Sequence, residues 1–237
     1  MYVPIFIHVA KSGGTSFFGS IKKGNNYPHS RFKTFTDTSL NISGIQVGDF
    51  VYGHKAFGVH NQINAPCVYL SVVRDPAHRA LSYFFQNAWI GGRHLDFGNI
   101  KALESEIITF GKTYTTNTAT AFISGNNSST LSNDDIESLE QAKHNIDNFF
   151  SFICCTDDLD KYWNLLSLKF HWQWNPNATT RNRTMHFDHG TRRPHISNVP
   201  QEIIDALHDV SQLDTQLYNH IKSQQDIVNN KELIILT

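Results

Sequence analysis

The sequence predicts an α/β protein: three α/β/α layers around a mainly parallel sheet, in one domain covering residues 1–237. Three observations predict it. Strand and helix patterns alternate along most of the chain. The run Val68-Tyr69-Leu70-Ser71-Val72-Val73 has almost no polar break, as a strand buried on both faces of a parallel sheet requires. From Ile5 to Ile21 an apolar, β-branched run passes through Lys11-Ser12-Gly13-Gly14-Thr15-Ser16 into a helical pattern, which reads as strand, tight turn, helix. At 237 residues the chain is long enough for one sizeable core.

Strand 3–9 leads to a helix at 15–23, a Gly/Asn/Pro-rich turn from Gly24 to Pro28, and a short strand at 31–36. A strand at 50–53 ends in Gly53-His54. Strand 67–73 feeds a helix from 76 to about 88, with Asp75 as N-cap and Pro76 at the first helical position. Gly91-Gly92 breaks that helix. Residues 93–116 mix helical and loop signals and read as a variable insertion. A polar loop from Gly125 to Ser129 precedes Ser132, the expected N-cap of a helix running to about 148. Strand 150–155 and helix 157–169 follow. Residues 171–198 form a long polar stretch of the kind that is functional or mobile, and Pro200 opens a helical C-terminal segment.

With 20 basic and 21 acidic residues the chain has no global attraction for nucleic acid or anionic membranes. Its apolar runs fall short of the roughly 18 residues of a membrane span, and Met1 is followed by no basic-then-apolar leader. A cytoplasmic protein without a membrane anchor is expected. Cys67, Cys154 and Cys155 are odd in number and sit in apolar runs, which suits buried hydrophobes better than disulfides. Arg181, Arg183, Arg192 and Arg193 form a local basic cluster that is either solvated surface or an anion contact. His186, Asp188, His189 and His195 are too loosely spaced to predict a zinc site, and no metal is expected. Trp163, Trp172 and Trp174 suit either sugar stacking or packing.

Two segments carry anion chemistry. A glycine turn running into a helix start offers free N–H groups and a partial positive charge to a phosphate-like oxyanion. Lys11 adds a cation, and Ser12, Thr15 and Ser16 add hydroxyls. The lysine precedes Gly13-Gly14, so this is not the nucleotide P-loop, and on its own the turn also reads as a tight connection. The second segment is Arg74-Asp75-Pro76-Ala77-His78-Arg79-Ala80-Leu81-Ser82-Tyr83. It sets Arg74 at the carboxyl end of a strand, where open α/β sheets bind ligands. Ser82 follows about two helical turns on, and the two converge on one phosphate if strand and helix pack antiparallel. Arginine grips phosphate through two hydrogen bonds. The alternative is a local Arg74–Asp75 ion pair with Ser82 an ordinary helix residue.

Together these segments resemble the sulfotransferase superfamily, whose donor is 3′-phosphoadenosine 5′-phosphosulfate (PAPS). Residues 10–16 resemble its 5′-phosphosulfate loop, usually Pro-Lys-Thr-Gly-Gly-Thr-Ser, with Ala10 and Ser12 standing where Pro and Thr are common. Residues 74–83 resemble its 3′-phosphate motif, Arg-Asp-Pro-x-x-Arg-x-x-Ser-x-Tyr. Val51-Tyr52-Gly53-His54-Lys55-Ala56-Phe57-Gly58 is similar to the strand and Gly-His segment of the family-2 branch, which is related to heparan sulfate 2-O-sulfotransferases and includes short bacterial proteins. Weaker likenesses continue at Asn117 to Phe122, at Leu139 to Leu159 and at Leu213 to Tyr218.

The resemblance implies a P-loop-like sulfotransferase fold, PAPS as co-substrate, and transfer to an acceptor hydroxyl, most readily on a carbohydrate. It implies that Lys11, Ser12, Gly13, Gly14, Thr15 and Ser16 hold the 5′-phosphosulfate and that Arg74 and Ser82 hold the 3′-phosphate. The length and polarity of 171–198, apart from the resemblance, suit a lid over the cofactor. His54 stands at the position of the family's catalytic histidine, and an unperturbed pKa near 6.5 suits a histidine to proton removal at neutral pH. His60 is the second choice. Lys11 is the candidate to neutralise charge on the bridging oxygen. His8 reads as a packed residue and Arg79 as a surface or helix-pairing one. Rival readings are sulfation of a small natural product at oxygen or nitrogen, an ATP-dependent kinase needing magnesium, and a non-catalytic nucleotide- or glycan-binding relative.

Overall fold

The structure, a computed structural model, describes residues 1–24, 31–35, 42–93, 95–96, 98–173 and 196–237. Five strands form one sheet in the order β2-β3-β1-β4-β5: β1 Val3–Ile7, β2 Phe32–Phe35, β3 Phe50–Gly53, β4 Cys67–Val73 and β5 Phe150–Cys155. Every neighbouring pair is parallel. The strand carboxyl ends therefore share one edge. Ile7 pairs with both Gly53 and Ser71, which brings the segments after β1, β3 and β4 together.

Side chains alternate across this sheet with period two. On one face Phe6, Phe50, Val68, Leu70, Val72, Phe152 and Cys154 meet helices α1 (Gly14–Gly24) and α6 (Leu159–Phe170) through Phe17, Ile21, Trp163 and Leu166. On the other face Ile5, Ile7, Val51, Tyr69 and Val73 meet α4 (Thr118–Ser124), α5 (Ile136–Phe149) and α8 (Gln212–Asn230). This is the expected three-layer arrangement. Between them in the chain come α2 (Pro76–Ile90), α3 (Glu104–Tyr114) and α7 (Gln201–Val210), which pack on one another around Leu81, Phe84, Phe85, Ile107, Ile203 and Leu207.

The alternation in β5 is broken once. Tyr69 pairs with Phe150 and Leu70 with Phe152, so Ser151 is an extra residue. The slip puts Phe150 on the same face as Ile153 and Cys155. Among the described residues the outer edge of β5 is covered by side chains of α8 rather than by a further strand. Asn229 bonds both Ile153 N and Ile153 O, and Gln225 accepts from Cys155 N. Such cover protects an edge from pairing with another chain.

A buried polar network joins the third helical group to the rest. Arg79 Nη2 donates to Asp214 Oδ2 and to Thr115 O, each at 2.7 Å. The same carboxylate accepts from Ala119 N, Thr120 N and Thr120 Oγ1. Asn117 Oδ1 accepts from Leu213 N and Asp214 N and so caps α8. Arg79 is 2 % exposed: of the two roles expected for it, helix pairing is right and surface residue is wrong.

Several expected boundaries shift. His8 and Val9 lie beyond β1. Residues 93–116 contain a short 3-10 turn and α3. The cap of α5 is Asp135, whose Oδ1 accepts from Ser138 N, while Ser132 accepts from Asp134 N ahead of the helix. The C-terminal segment is two helices. Trp163 and Trp172 are core residues of the α1/α6 face. Trp174, the arginine cluster at 181–193, the histidines at 186–195 and most of the expected lid lie outside the described residues. The three cysteines are buried and free. Among the described residues no helix is long and apolar enough to cross a membrane.

Candidate functional site

The loop after β1 is built on positive φ at two positions. Lys11 has φ 65° and Gly13 φ 80°. A non-glycine residue in that region costs on the order of 1 kcal/mol and is retained where the surroundings impose it. At Gly13 a Cβ would also lie 3.2 Å from Thr156 Cγ2. Ser16 N and Phe17 N both donate to Gly13 O at 3.0 Å, closing the first turn of α1. Helix geometry leaves the N–H groups of Gly14 and Thr15 at its open end.

Thr156, the first residue after β5, fastens this loop to the sheet. Its hydroxyl lies 2.9 Å from Ser12 O and 2.8 Å from Val73 O, sharing one proton between them. The loop, the end of β4 and the end of β5 thus meet at one oxygen. Ser12 is wholly buried, and its own Oγ has no partner among the described residues.

Arg74 follows Val73 directly. Its Nε is buried and has no hydrogen-bond partner among the described residues, and burial pulls its pKa down although Asp157 and Asp75 lie near enough to oppose the shift. No ion pair among the described residues joins it to Asp75. That carboxylate is used elsewhere: Oδ1 accepts from His78 N at 2.9 Å, capping α2 as expected, and Oδ2 meets His208 Nε2 at 2.9 Å. Ser82 is 5 % exposed, two turns into α2.

His54 stands exposed at the end of β3. Its Nδ1 lies 2.7 Å from His8 O. A carbonyl only accepts, so Nδ1 carries the hydrogen and Nε2 is the basic nitrogen of the neutral ring. The ring stacks on His8 with centroids 4.5 Å apart, and the ring of Phe122 in α4 lies tilted to it at 6.4 Å. His8 is more than a packed residue. It stacks between His54 and Tyr52, and its Nδ1 pairs with Tyr52 Oη at 2.9 Å. Burial, with His54 and Lys11 nearby, lowers its pKa to about 3, so it is neutral. Burial pushes Tyr52 up to about 12, and Thr15 bonds its hydroxyl. A Cβ on Gly14 would fall 2.2 Å from His8 Cδ2, so that glycine is what lets α1 start against the imidazole.

His60 stands apart from this group. Its Nδ1 and backbone N bond Tyr69 Oη, and burial lowers its pKa, which makes it an anchor for the 59–62 turn. The structure thus brings together Lys11, Ser12, Gly13, Gly14, Thr15, Ser16, His54 and the backbone preceding Arg74. Sequence reasoning gave no role to Thr156, Tyr52 or His208. For Tyr52 a signal existed, since residues two apart on a strand share a face with His54. Thr156 and His208 act through contacts with residues 83 or more positions away. No family model and no curated protein matches the chain.

Proposed function

We propose that the protein is a sulfotransferase that uses PAPS and sulfates an acceptor hydroxyl, with a carbohydrate as the first acceptor to try and a small natural product, at oxygen or nitrogen, as the second. The observation that carries the reading is the meeting of three features on one sheet edge. They are a glycine-turn helix start, a strand-end histidine with its basic nitrogen fixed by tautomer, and a half-buried arginine that makes no ion pair with its neighbouring carboxylate among the described residues. Two orphaned buried polar atoms, Ser12 Oγ and Arg74 Nε, fit a site built to receive anionic oxygens.

In this reading the Gly14 and Thr15 N–H groups and the hydroxyls of Ser12, Thr15 and Ser16 hold the 5′-phosphosulfate, with the helix dipole behind them. Arg74 and Ser82 hold the 3′-phosphate. The donor supplies the sulfuryl group, with loss of the bond to its phosphate oxygen, and departs as adenosine 3′,5′-bisphosphate. His54 Nε2 takes the acceptor proton as the new bond to sulfur forms, and Lys11 faces the negative charge that develops on the departing oxygen. Positioning and charge stabilisation supply the rate, as in other in-line transfers.

His54→Ala tests the assignment. Turnover with PAPS should fall by about 10²–10⁴-fold, while calorimetric affinity for adenosine 3′,5′-bisphosphate stays within error. Unchanged turnover removes His54 from the mechanism.

A further inference from the structure

Arg74 and Asp75 are adjacent, and the default partner of a half-buried guanidinium is the nearest carboxylate. Here both carboxylate oxygens are engaged by other groups. Oδ1 accepts from His78 N, and Oδ2 lies 2.9 Å from His208 Nε2. Because a carboxylate oxygen accepts, His208 Nε2 is the donor. His208 reaches Asp75 from α7, 133 residues further along the chain. It is held there by the apolar face of α7, whose Ile203, Ile204 and Leu207 pack with Ala77, Ala80 and Leu81 of α2. At the same strand end Arg74 Nε is buried and has no partner among the described residues.

We propose that His208 is a positioning residue that sets the preference for a 3′-phosphorylated nucleotide, by keeping the Asp75 carboxylate from pairing with Arg74. The proposal rests on the reading of Arg74 as the 3′-phosphate ligand. Its physical basis is competition. An Arg74–Asp75 pair would neutralise the cation and occupy the guanidinium fork that grips phosphate bidentately. With Asp75 committed to α7 and to the cap of α2, the fork stays open to a ligand. Other charged or titratable groups acting on these three are His78, Asp157, Asp205, Asp209 and Tyr218. None of them makes the bond to Oδ2.

The test compares adenosine 3′,5′-bisphosphate with ADP by titration calorimetry on the full chain. Wild type should prefer the bisphosphate. His208→Ala should cut that preference by about tenfold, a loss of ~1.4 kcal/mol, with ADP affinity nearly unchanged. His208→Gln, which keeps an N–H at similar reach, should restore it. In the double variant Asp75→Asn/His208→Ala the competing charge is gone and the cap kept, and the preference should return. A lower Tm for His208→Ala with an unaltered preference overturns the proposal and leaves His208 a packing residue. If His208→Ala does not fold, loss of the preference in His208→Gln overturns it equally. A wild type with no preference for the bisphosphate overturns the Arg74 assignment itself, which is a different failure from that of His208.

Discussion

At the scale of single residues, one imidazole organises the candidate site. The carbonyl of His8 fixes the tautomer of His54, its ring fills the space between Tyr52 and His54, and its edge meets α1 where Gly14 has no side chain. The absent Cβ is the condition for this arrangement. Gly14→Ala would force the ring away from Tyr52 Oη or push the first turn of α1 outward. Overpacking of this kind costs about 1–3 kcal/mol. Urea unfolding should show a lower midpoint with an unchanged slope, and turnover should fall with it as His54 loses its alignment. A variant of wild-type stability and turnover would show that the ring has room to move. The sequence made Gly13 and Gly14 conspicuous as a phosphate turn. It did not show that Gly14 is also required from the side of His8, since that contact depends on how β1 delivers its last side chain.

At the scale of elements, polar side chains join pieces that apolar packing alone would leave free to slide. Asp214 gathers α2, α4 and α8 around one carboxylate, and removal of one partner from a buried pair of this kind typically costs about 3–5 kcal/mol. The His208–Asp75 bond does the same for α7 and α2 in a partly solvated setting, and it is sensitive to pH. Asp75 raises the pKa of His208 above 6.5. That stabilisation is complete below 6.5 and is lost as pH rises through the folded value. The Asp75 carboxyl is held below 3.8: burial acts to raise it and is outweighed by the bonds to His208 and His78. Its contribution is present above 3.8 and is lost as pH falls through the lower folded value. Both contributions are therefore in place between roughly pH 4 and 6.5. The stability advantage of wild type over His208→Gln, which keeps a donor without a titration, should be largest near pH 5–6 and should shrink toward pH 8. A difference constant from pH 5 to 8 would mean that His208 does not titrate with folding.

At the scale of the whole molecule, the order of strands and helices was readable because each strand is a short β-prone run and the helices carry an apolar stripe. The parallel sheet followed from Val68 to Val73, whose side chains are buried on both faces. The loop at 10–16, Gly53-His54 and Arg74 were found as separate motifs, and their meeting is a consequence of one register in which Ile7 lies between Gly53 and Ser71. What could not be read were pairings between distant residues: 8 with 54, 75 with 208, 79 with 214, 156 with 12. No local pattern encodes them, because each is made by the packing of elements that lie far apart in the chain. The bulge at Ser151 and the cover of β5 by α8 are of the same kind.

The proposed function requires this edge to hold a nucleotide by its 3′-phosphate as well as its 5′ group. Thermal unfolding of the full chain with adenosine 3′,5′-bisphosphate, beside a scan with ADP and magnesium, is the decisive measurement. Ligand at about a hundred times its dissociation constant adds roughly 2.7 kcal/mol, which for a domain of this size raises Tm by about 5–10 °C. Tm should rise by that amount with the bisphosphate, without metal, and by less with ADP and magnesium. A rise with ADP and magnesium alone would contradict the proposed function and point to a kinase, and no rise with either would leave the glycine turn a structural connection.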